Sequence, residues 1–418
     1  MINERNFCIG PWSEIRILPD GRLNWCHRSD YDTSTDYIQN IDLDSYFNGS
    51  NVNKIRNHLR QGTDVAECQG CYNDETKVVY SYRRRRNIQM AIFPFEHFEK
   101  SLKESSMQQR FDTPKIMPYF YNIVLGNLCN LSCIMCSPYL SSRVATDFKR
   151  LKINNTNQPT LLDWTRDQNN WQKFVDHIDS NKNIMCVHFQ GGEPLLHDRF
   201  KEFLQHCIEI GHTDFHLTMV TNGTVFEQEH IDLFRCFKSC QIEISIESMA
   251  RVNEYIRYPV DQEKLVSNIK KFLSCCTDQL SVVLRTVPQL LSVLDYVSVL
   301  DFCLDNSICV DTNIIDHPVC LRPAVWPDHI RKKAIQRLEQ FKSKLNIAES
   351  DIELNLRNRQ KVGTNLKQNA DMVIASLNEI IPNRQELQVQ AREYLDKLDN
   401  LRRLRVTDYC PEFAEING

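Results

Sequence analysis

The stretch GNLCNLSCIMC at residues 126–136 decides how this chain is interpreted, because it places three cysteines within eight residues. Cys129, Cys133 and Cys136 come directly after the apolar run at residues 121–125, which predicts a buried strand. The three thiols therefore belong to one loop at the end of a strand.

The number of cysteines in this loop points to the kind of centre that they bind. A cubane cluster has four irons, so three thiolates leave one iron open to bind another molecule. A structural zinc site has four closed ligands, usually in two separated pairs, and disulfides belong to oxidising compartments. The spacing therefore favours a 4Fe-4S cluster with one open iron over a zinc site or a disulfide framework.

Length and composition describe an ordinary protein with a full core. The 418 residues are 42% apolar and 25% charged, which suits two to three domains. With 50 basic and 54 acidic residues the net charge is −4, which supports neither a nucleic-acid partner nor a membrane surface. No signal pattern opens the chain, and Asp295 and Asp301 interrupt its longest apolar stretch. We expect a cytoplasmic protein whose 17 cysteines are cluster ligands and buried thiols.

Residues 119–317 alternate short β-branched runs with helical segments, which predicts an α/β fold with a parallel sheet. The predicted strands lie at about residues 120–126, 184–190, 214–221, 241–247, 280–287 and 309–315. The predicted helices between them lie at about residues 198–210, 227–237, 262–275 and 291–305. Six such units in about 200 residues favour a partial (β/α)6 TIM-like barrel over a closed eight-stranded one.

The pattern changes on both sides of the predicted barrel. Residues 1–110 are turn-rich and carry four cysteines, which predicts a separate small domain, and residues 111–326 hold the barrel. Residues 327–418 are charged, periodic and free of strand patterns, which predicts a helical C-terminal region.

Two further segments place chemistry at the ends of predicted strands. The chain's only pair of adjacent glycines lies in HFQGGEPLL at residues 188–196, where the backbone can approach a ligand closely. The segment VTNG at residues 220–223 closes the next strand.

The fourth predicted strand contributes a polar face. In QIEISIES at residues 241–248, period-two alternation puts Glu243, Ser245 and Glu247 on one side. Arg257 follows ten residues later, and its guanidinium fork suits a carboxylate ligand.

Together the C-x3-C-x2-C spacing and the GGEP segment resemble the radical S-adenosylmethionine (radical SAM) superfamily. The resemblance implies that Cys129, Cys133 and Cys136 hold a 4Fe-4S cluster whose open iron chelates SAM. It implies that the GGEP segment bonds the SAM amino group and that Arg257 pairs with the SAM carboxylate. The implied cofactor-binding residues are Gly191, Gly192, Glu193, Pro194, Asn222, Ser245 and Arg257.

The chain departs from the family pattern at two places. Ser-Ile-Glu-Ser at residues 245–248 replaces the frequent Ser-Ile-Asp-Gly, which leaves the role of Glu247 undecided. Met135 stands where an aromatic residue often precedes the third cysteine.

The N-terminal cysteines Cys8, Cys26, Cys68 and Cys71, with the Gly21-x4-Cys26 hairpin, resemble the auxiliary-cluster module called twitch, or the first half of a SPASM module. The resemblance implies a second 4Fe-4S cluster, which four ligands would close completely. A four-cysteine zinc knuckle is the alternative, because the Cys68-x2-Cys71 pair would serve it equally well.

The basic stretch YSYRRRRN at residues 80–87 has two interpretations. It is a solvated helix or interdomain contact, as most such runs are, or a clamp for an anionic substrate group.

The radical SAM resemblance implies reductive cleavage of SAM to methionine and a 5'-deoxyadenosyl radical, which abstracts hydrogen from a substrate. The cofactors carry that chemistry and the barrel positions the radical. A flavodoxin- or ferredoxin-type protein is the expected electron donor. An auxiliary cluster that accepts an electron favours oxidation or dehydrogenation, and the lack of a leader-peptide-binding winged helix before the barrel favours a small metabolite.

Peptide or protein modification, such as cross-linking, epimerisation or maturation, is the alternative reaction class. An iron-sulfur redox sensor and a zinc-stabilised interaction protein are the non-enzymatic alternatives. The pattern identifies no catalytic side chain. Alternation predicts that substrate selection depends on polar side chains facing the barrel lumen, namely His188, His216, Glu243, Arg285 and Asn313.

Overall fold

The computed structural model describes residues 6–29, 35–76, 81–84, 86–87, 117–153, 159–348 and 362–416. The chain divides into two compact units, each built from several segments. The first unit comprises Met1–Gly126, Leu162–Gly191 and Asp198–Leu217. The second unit comprises Asn127–Leu161, Gly192–His197 and Thr218–Gly418.

The strands form a mostly parallel sheet, which confirms the predicted α/β class. They are β1 (Glu14–Ile17), β2 (Leu23–Asn24), β3 (Phe120–Ile123), β4 (Cys186–Phe189), β5 (His216–Thr221), β6 (Ser239–Ser245), β7 (Leu280–Thr286) and β8 (Val310–Thr312). Their order in the sheet is β2-β1-β3-β4-β5-β6-β7-β8. The six predicted strands correspond to β3 to β8.

Two further strands, β1 and β2, lie near the N-terminus outside the six strands predicted for the barrel, and they form a hairpin around Gly21. β1 pairs in parallel with β3, with Ile15 opposite Tyr121, and antiparallel with β2. The turn between β1 and β2 contains Gly21, whose φ of 85° lies in the left-handed region. β1 escapes a search for apolar runs because it is only four residues long and because Glu14 and Arg16, although buried, are charged.

The helices follow the strands in the predicted βα alternation and dominate the C-terminal part. They are α1 (Gly10–Ser13), α2 (Leu43–Phe47), α3 (Ser50–Gln61), α4 (Gln69–Thr76), α5 (Ser142–Arg150), α6 (Gln168–Ser180), α7 (Asp198–Glu209), α8 (Gln228–Phe234), α9 (Val252–Ile256), α10 (Gln262–Ser274), α11 (Tyr296–Asp305), α12 (Asp328–Ala348), α13 (Val362–Leu377) and α14 (Arg384–Arg402). The helical C-terminal region is confirmed in α12 to α14.

Local sequence explains where these helices begin and which face they bury. Asp261 caps α10, because its side chain accepts a hydrogen bond from the backbone N–H of Lys264 at 2.9 Å. The helix then buries Leu265, Ile269 and Phe272, which recur at helical spacing.

The core of the second unit lies against β6 and β7. Ile242, Ile244 and Ile246 are fully buried on one face of β6, as the period-two alternation predicts. Polar side chains alternate with them and occupy the opposite face. Among the residues described, no helix is long and apolar enough to cross a membrane.

Gly223→Ala is expected to destabilise the protein more than Gly211→Ala. Both glycines have left-handed φ angles, 71° and 69°, so both substitutions introduce backbone strain of roughly 1–2 kcal/mol. A Cβ at Gly223 would also lie 2.8 Å from Ile244 and Leu265 side-chain atoms, whereas nothing lies within 4 Å of one at Gly211. Overpacking adds roughly 1–3 kcal/mol, so thermal unfolding should show a clearly lower Tm for Gly223→Ala. Equal Tm values for the two variants would contradict this packing.

Candidate functional site

The three-cysteine loop brings its thiols close together in the second unit. Cys129, Cys133 and Cys136 are partly exposed, unlike most other cysteines of the described chain. Burial of the sulfur atoms raises the pKa of all three thiols, that of Cys129 to about 11, and the charge of Cys133 raises the pKa of Cys129 and Cys136 further. The loop therefore presents three neighbouring thiols from one short segment.

Backbone hydrogen bonds fix this loop beside the segment that carries Arg257. The N–H of Ser132 donates to the carbonyl of Tyr258 at 2.6 Å, and the N–H of Ile134 donates to the carbonyl of Ile256 at 2.9 Å. The residues between the cysteines are thus bonded to the last residue of α9 and to the segment that follows it.

Arg257 is held by a buried ion pair with Glu247. The fully buried carboxylate of Glu247 accepts hydrogen bonds from Arg257 Nε at 3.3 Å and Nη2 at 3.1 Å. Its other oxygen accepts from the backbone N–H of Val287 at 2.6 Å and the hydroxyl of Thr286 at 3.1 Å. These four contacts occupy Glu247, so its role is to hold Arg257.

The remaining end of the Arg257 guanidinium faces the cysteine loop. Arg257 Nη1 lies 3.7 Å from Cys133 Sγ. Burial disfavours the charged guanidinium, but the negative charges of Cys133 and Glu247 outweigh burial and raise the pKa of Arg257. A permanent positive charge is therefore fixed against the second cysteine of the loop.

The side chain of Glu193 is hydrogen-bonded within the protein. The residue is 1% exposed, and its carboxylate accepts hydrogen bonds from the Thr221 hydroxyl at 2.7 Å and the backbone N–H of Asn222 at 2.6 Å. Its own N–H donates to the carbonyl of Leu128 at 2.7 Å. Glu193 thereby ties the end of β5 to the residue before Cys129.

The neighbouring residues of the GGEP segment adopt unusual backbone conformations. Gly191 and Gly192 have φ angles of 77° and 56°, a region that residues with side chains rarely adopt. The N–H of Gly192 donates to the carbonyl of Leu140 at 2.9 Å, and Pro194 begins a short 3-10 turn, Pro194–Leu196. The two glycines are therefore required by this turn.

Asn222 belongs to a ring of three polar side chains next to Cys129. Its Nδ2 donates to Asn130 Oδ1 at 2.7 Å and lies 3.9 Å from Cys129 Sγ. Asn130 donates to the Thr224 hydroxyl at 2.8 Å, and that hydroxyl donates to Asn222 Oδ1 at 2.6 Å. Sequence patterns did not identify Asn130 or Thr224, because an isolated Asn or Thr in a loop carries no signal.

Ser245 lies at the end of β6 on the face that also carries Glu243. It is 9% exposed and lies opposite Arg285 in the register of β6 and β7. Arg285 Nη1 donates to Glu243 Oε2 at 2.6 Å, and Arg285 Nε lies 3.9 Å from Asp311 Oδ2. A carboxylate, a guanidinium and a second carboxylate therefore follow one another across β6, β7 and β8.

The donor set around the loop fits an iron-sulfur cluster. Thiolates are the soft ligands that such clusters take, and hydrogen bonds and charges near the sulfurs adjust their reduction potential. Cys129 has the Asn222 amide beside it and Cys133 has the Arg257 guanidinium. Across the described ranges, no three cysteine, histidine or carboxylate side chains are spaced to hold a single metal ion.

The four N-terminal cysteines come together in the first unit and are buried. Cys8, Cys26, Cys68 and Cys71 are 4%, 6%, 8% and 5% exposed. Burial raises the pKa of Cys8 and of Cys68 to about 12, and the charges of neighbouring thiols of this set raise each of them further. Backbone N–H groups also point at two of the sulfurs: Gly10 N lies 3.4 Å from Cys8 Sγ and Arg28 N lies 3.3 Å from Cys26 Sγ. Their residue types suit a closed cluster or a zinc site, although no group of them is spaced to hold a single metal ion in the described residues.

The described part of the basic stretch packs inside the first unit. Arg86 forms an ion pair of 2.7 Å with the fully buried carboxylate of Glu14, and Arg83 forms one with Glu75. Arg83 Nη1 also donates to the carbonyl of Phe7 at 3.0 Å, next to Cys8. These pairings favour an internal contact over a clamp for an anionic substrate. Tyr80 and Arg85 lie outside the described residues.

Three comparisons relate the chain to known proteins. Residues 123–287 match the Radical SAM superfamily. A segment of 131 residues is 23% identical to an S-adenosylmethionine-dependent nucleotide dehydratase of Selenomonas ruminantium, covering 31% of this chain and 39% of that protein.

Among solved structures, the chain is similar to Streptococcus suis SuiB bound to S-adenosylmethionine, with 15% identity and a TM-score of 0.36, covering 56% of this chain and 46% of that one. It is also similar to native anSMEcpe with bound AdoMet, with 14% identity and a TM-score of 0.41, covering 55% and 62%. The chain thus spans between 39% and 62% of the length of these relatives.

Glu193→Gln is expected to remove a pH dependence of stability. Burial raises the pKa of Glu193 from 4.5 to about 7, so the folded protein binds a proton more tightly than the unfolded chain. The contribution of Glu193 to stability is therefore full below about pH 4.5 and falls as the pH rises to about 7, by on the order of 3 kcal/mol. The difference in Tm, variant minus wild type, should therefore increase as the pH rises from about 4.5 to about 7.

Glu263→Gln provides the matched control, since this glutamate is exposed in the first turn of α10. Its Tm difference from the wild type should stay flat with pH. A flat difference for Glu193→Gln as well would contradict a pKa of Glu193 raised by burial.

Proposed function

We propose that the protein is a radical SAM enzyme acting through the three-cysteine loop, because residues 123–287 match the Radical SAM superfamily. Cys129, Cys133 and Cys136 would hold a 4Fe-4S cluster, which would supply the electron for reductive cleavage of SAM to methionine and a 5'-deoxyadenosyl radical that would abstract hydrogen from a substrate. The proposal is supported above all by one contact: Arg257 Nη1, fixed by Glu247, lies 3.7 Å from Cys133 Sγ.

We assign separate tasks to the residues of the loop and its neighbours. Cys129, Cys133 and Cys136 would each ligate one iron and leave the fourth open to the SAM amino and carboxylate groups. Arg257, with two of its nitrogens bound to Glu247, would offer the third to the SAM carboxylate. Asn222 would act as a positioning residue beside Cys129.

The turn and strand ends nearby would bind the rest of SAM. Gly191 and Gly192, which have no side chains, would let the backbone of the turn approach SAM closely. Glu193 keeps the turn attached to the end of β5. Pro194 would set the direction of the chain after the turn, and Ser245 would offer a hydroxyl at the end of β6. These side chains hold and orient SAM, and none of them is required to move a proton.

We further propose that Cys8, Cys26, Cys68 and Cys71 hold a second 4Fe-4S cluster of the twitch type. This proposal is supported by the burial of all four cysteines and by two backbone N–H groups directed at Cys8 and Cys26. A cluster with four thiolate ligands has no open iron, so its role would be electron relay rather than SAM binding. A flavodoxin- or ferredoxin-type protein would supply electrons.

The proposed reaction is oxidation or dehydrogenation of a small metabolite. The row formed by Glu243, Arg285 and Asp311 would bind hydrogen-bonding groups of a compact polar substrate. The relative of S. ruminantium is named for a small-molecule activity, which agrees with this substrate class, although a dehydratase leaves the net oxidation state unchanged. Peptide modification is the alternative reaction, and assays that supply peptides as well as metabolites would distinguish the two.

Cys133→Ala is expected to abolish SAM cleavage. Anaerobically reconstituted wild type with dithionite and SAM should release 5'-deoxyadenosine, measured by liquid chromatography, while the variant loses the cluster ligand nearest Arg257 and should yield none above background. Cys236→Ala, which removes an exposed thiol outside both cysteine sets, should retain wild-type yield. Wild-type protein that makes no 5'-deoxyadenosine, or a Cys133→Ala variant that makes as much as the wild type, would refute the proposed enzyme.

Metal analysis of Cys68→Ala should separate the two interpretations of the N-terminal cysteines. Two clusters correspond to about eight irons per chain in the wild type, so the variant should retain about four and still cleave SAM. The Cys236→Ala protein should retain about eight. A wild type with about four irons and one zinc, the zinc being absent from Cys68→Ala, would establish the zinc knuckle instead.

A further inference from the structure

The C-terminal helix α14 contacts the backbone of the three-cysteine loop directly. Tyr394 Oη donates a hydrogen bond to the carbonyl of Ile134 at 2.7 Å. Arg402 Nη2 donates to the carbonyl of Ser132 at 2.5 Å. Both carbonyls belong to residues adjacent to Cys133, so α14 reaches the centre of the loop from two positions about two turns apart.

These contacts complete the hydrogen bonding of the loop. The N–H groups of Ser132 and Ile134 are taken by residues 256–258, and their carbonyls are taken by α14. Each of the two residues therefore has its backbone donor and acceptor bonded to two different segments. Bonding from both sides fixes the direction of the loop, because a buried backbone group that loses its partner is unfavourable.

Arg402 also bonds the segment on the other side of the loop. Its Nη1 donates to the carbonyl of Tyr255 at 3.1 Å, and its guanidinium lies 4.9 Å from the ring centre of Tyr258. Arg402 is 8% exposed, so this positive charge is buried between the loop and the segment that carries Arg257. A buried cation that bonds both segments sets their relative position.

The helix itself is anchored independently of these two side chains. Asp399 accepts a hydrogen bond from the Tyr255 hydroxyl at 2.6 Å, and Gln388 donates to the carbonyl of Val325 at 2.9 Å. Leu395 and Leu398 are buried. Removal of the Tyr394 hydroxyl or the Arg402 guanidinium should therefore leave α14 in place and release only the loop.

We propose that α14 is the positioning element of the cluster loop, with Tyr394 and Arg402 as its positioning residues, and that the buried charge of Arg402 makes the centre held by Cys133 easier to reduce. The second part rests on the proposed function, since it requires a cluster. The first part concerns the loop alone and holds whether or not the loop carries iron.

Hydrogen–deuterium exchange of the full-length protein, before reconstitution, tests the positioning of the loop. Tyr394→Phe and Arg402→Gln should each speed exchange in the peptide that covers residues 129–136, by about fivefold to tenfold, because a bonded carbonyl is released. Arg403→Gln is the matched control: it makes the same change of charge one residue away on an exposed side chain, and exchange in this peptide should match the wild type.

Reduction of the reconstituted protein tests the role of the charge. An EPR-monitored titration should show that Arg402→Gln lowers the equilibrium constant for one-electron reduction about tenfold, a shift of 59 mV to lower potential. Arg402→Lys keeps the charge and should recover most of the shift, whereas Arg403→Gln should stay within twofold of the wild type. Tyr394→Phe removes no charge and should alter the shape of the EPR signal more than the potential.

The outcomes separate the positioning role from the proposed enzyme. Unchanged loop exchange in both Tyr394→Phe and Arg402→Gln overturns the positioning role, even if the wild type cleaves SAM. Faster exchange with an unchanged midpoint potential in Arg402→Gln overturns the electrostatic role alone. A wild type that binds no cluster refutes the proposed enzyme and the electrostatic role, while the exchange result still decides the positioning role.

Discussion

The buried carboxylate of Glu247 is the constraint on which the candidate site depends. A fully buried charge is tolerated only where partners surround it, and Glu247 receives four hydrogen bonds from Arg257, Thr286 and Val287. These partners come from the end of β7 and from the segment after α9, so one side chain at the end of β6 joins three separate parts of the second unit. Arg257 is aimed at Cys133 as a consequence of satisfying Glu247.

The two cysteine sets differ in their exposure. The cysteines of the three-cysteine loop are partly exposed. The N-terminal four are buried, and the basic residues Arg83 and Arg86 are occupied by carboxylates of the same unit. Partial exposure suits a site that admits a cosubstrate, whereas burial suits a centre that only exchanges electrons.

Much of the fold was predictable because it depends on local periodicity. β3 to β8, the four helices α7, α8, α10 and α11 between them and the helical C-terminal region follow from runs of apolar residues at spacings of two or 3.6. β1 was missed because its charged residues are buried by pairing with β3 and by contacts with distant residues, such as the ion pair of Glu14 with Arg86. The signal for such a strand lies in its neighbours in space and is absent from its own residues.

The sequence alone determined the ligand types: three cysteines in one loop, a glycine pair at a strand end and an arginine beyond the polar face of β6. These are decided locally, because the spacing of ligands within one segment fixes what they can bind together. Only the tertiary structure decided what each neighbour does. In the folded protein Glu247 forms an ion pair with Arg257, and the Glu193 side chain bonds to the end of β5. Tyr394 and Arg402 bond to a loop more than 250 residues earlier in the chain. Contacts between residues so far apart in sequence arise from the packing of whole elements, so no pattern within either segment predicts them.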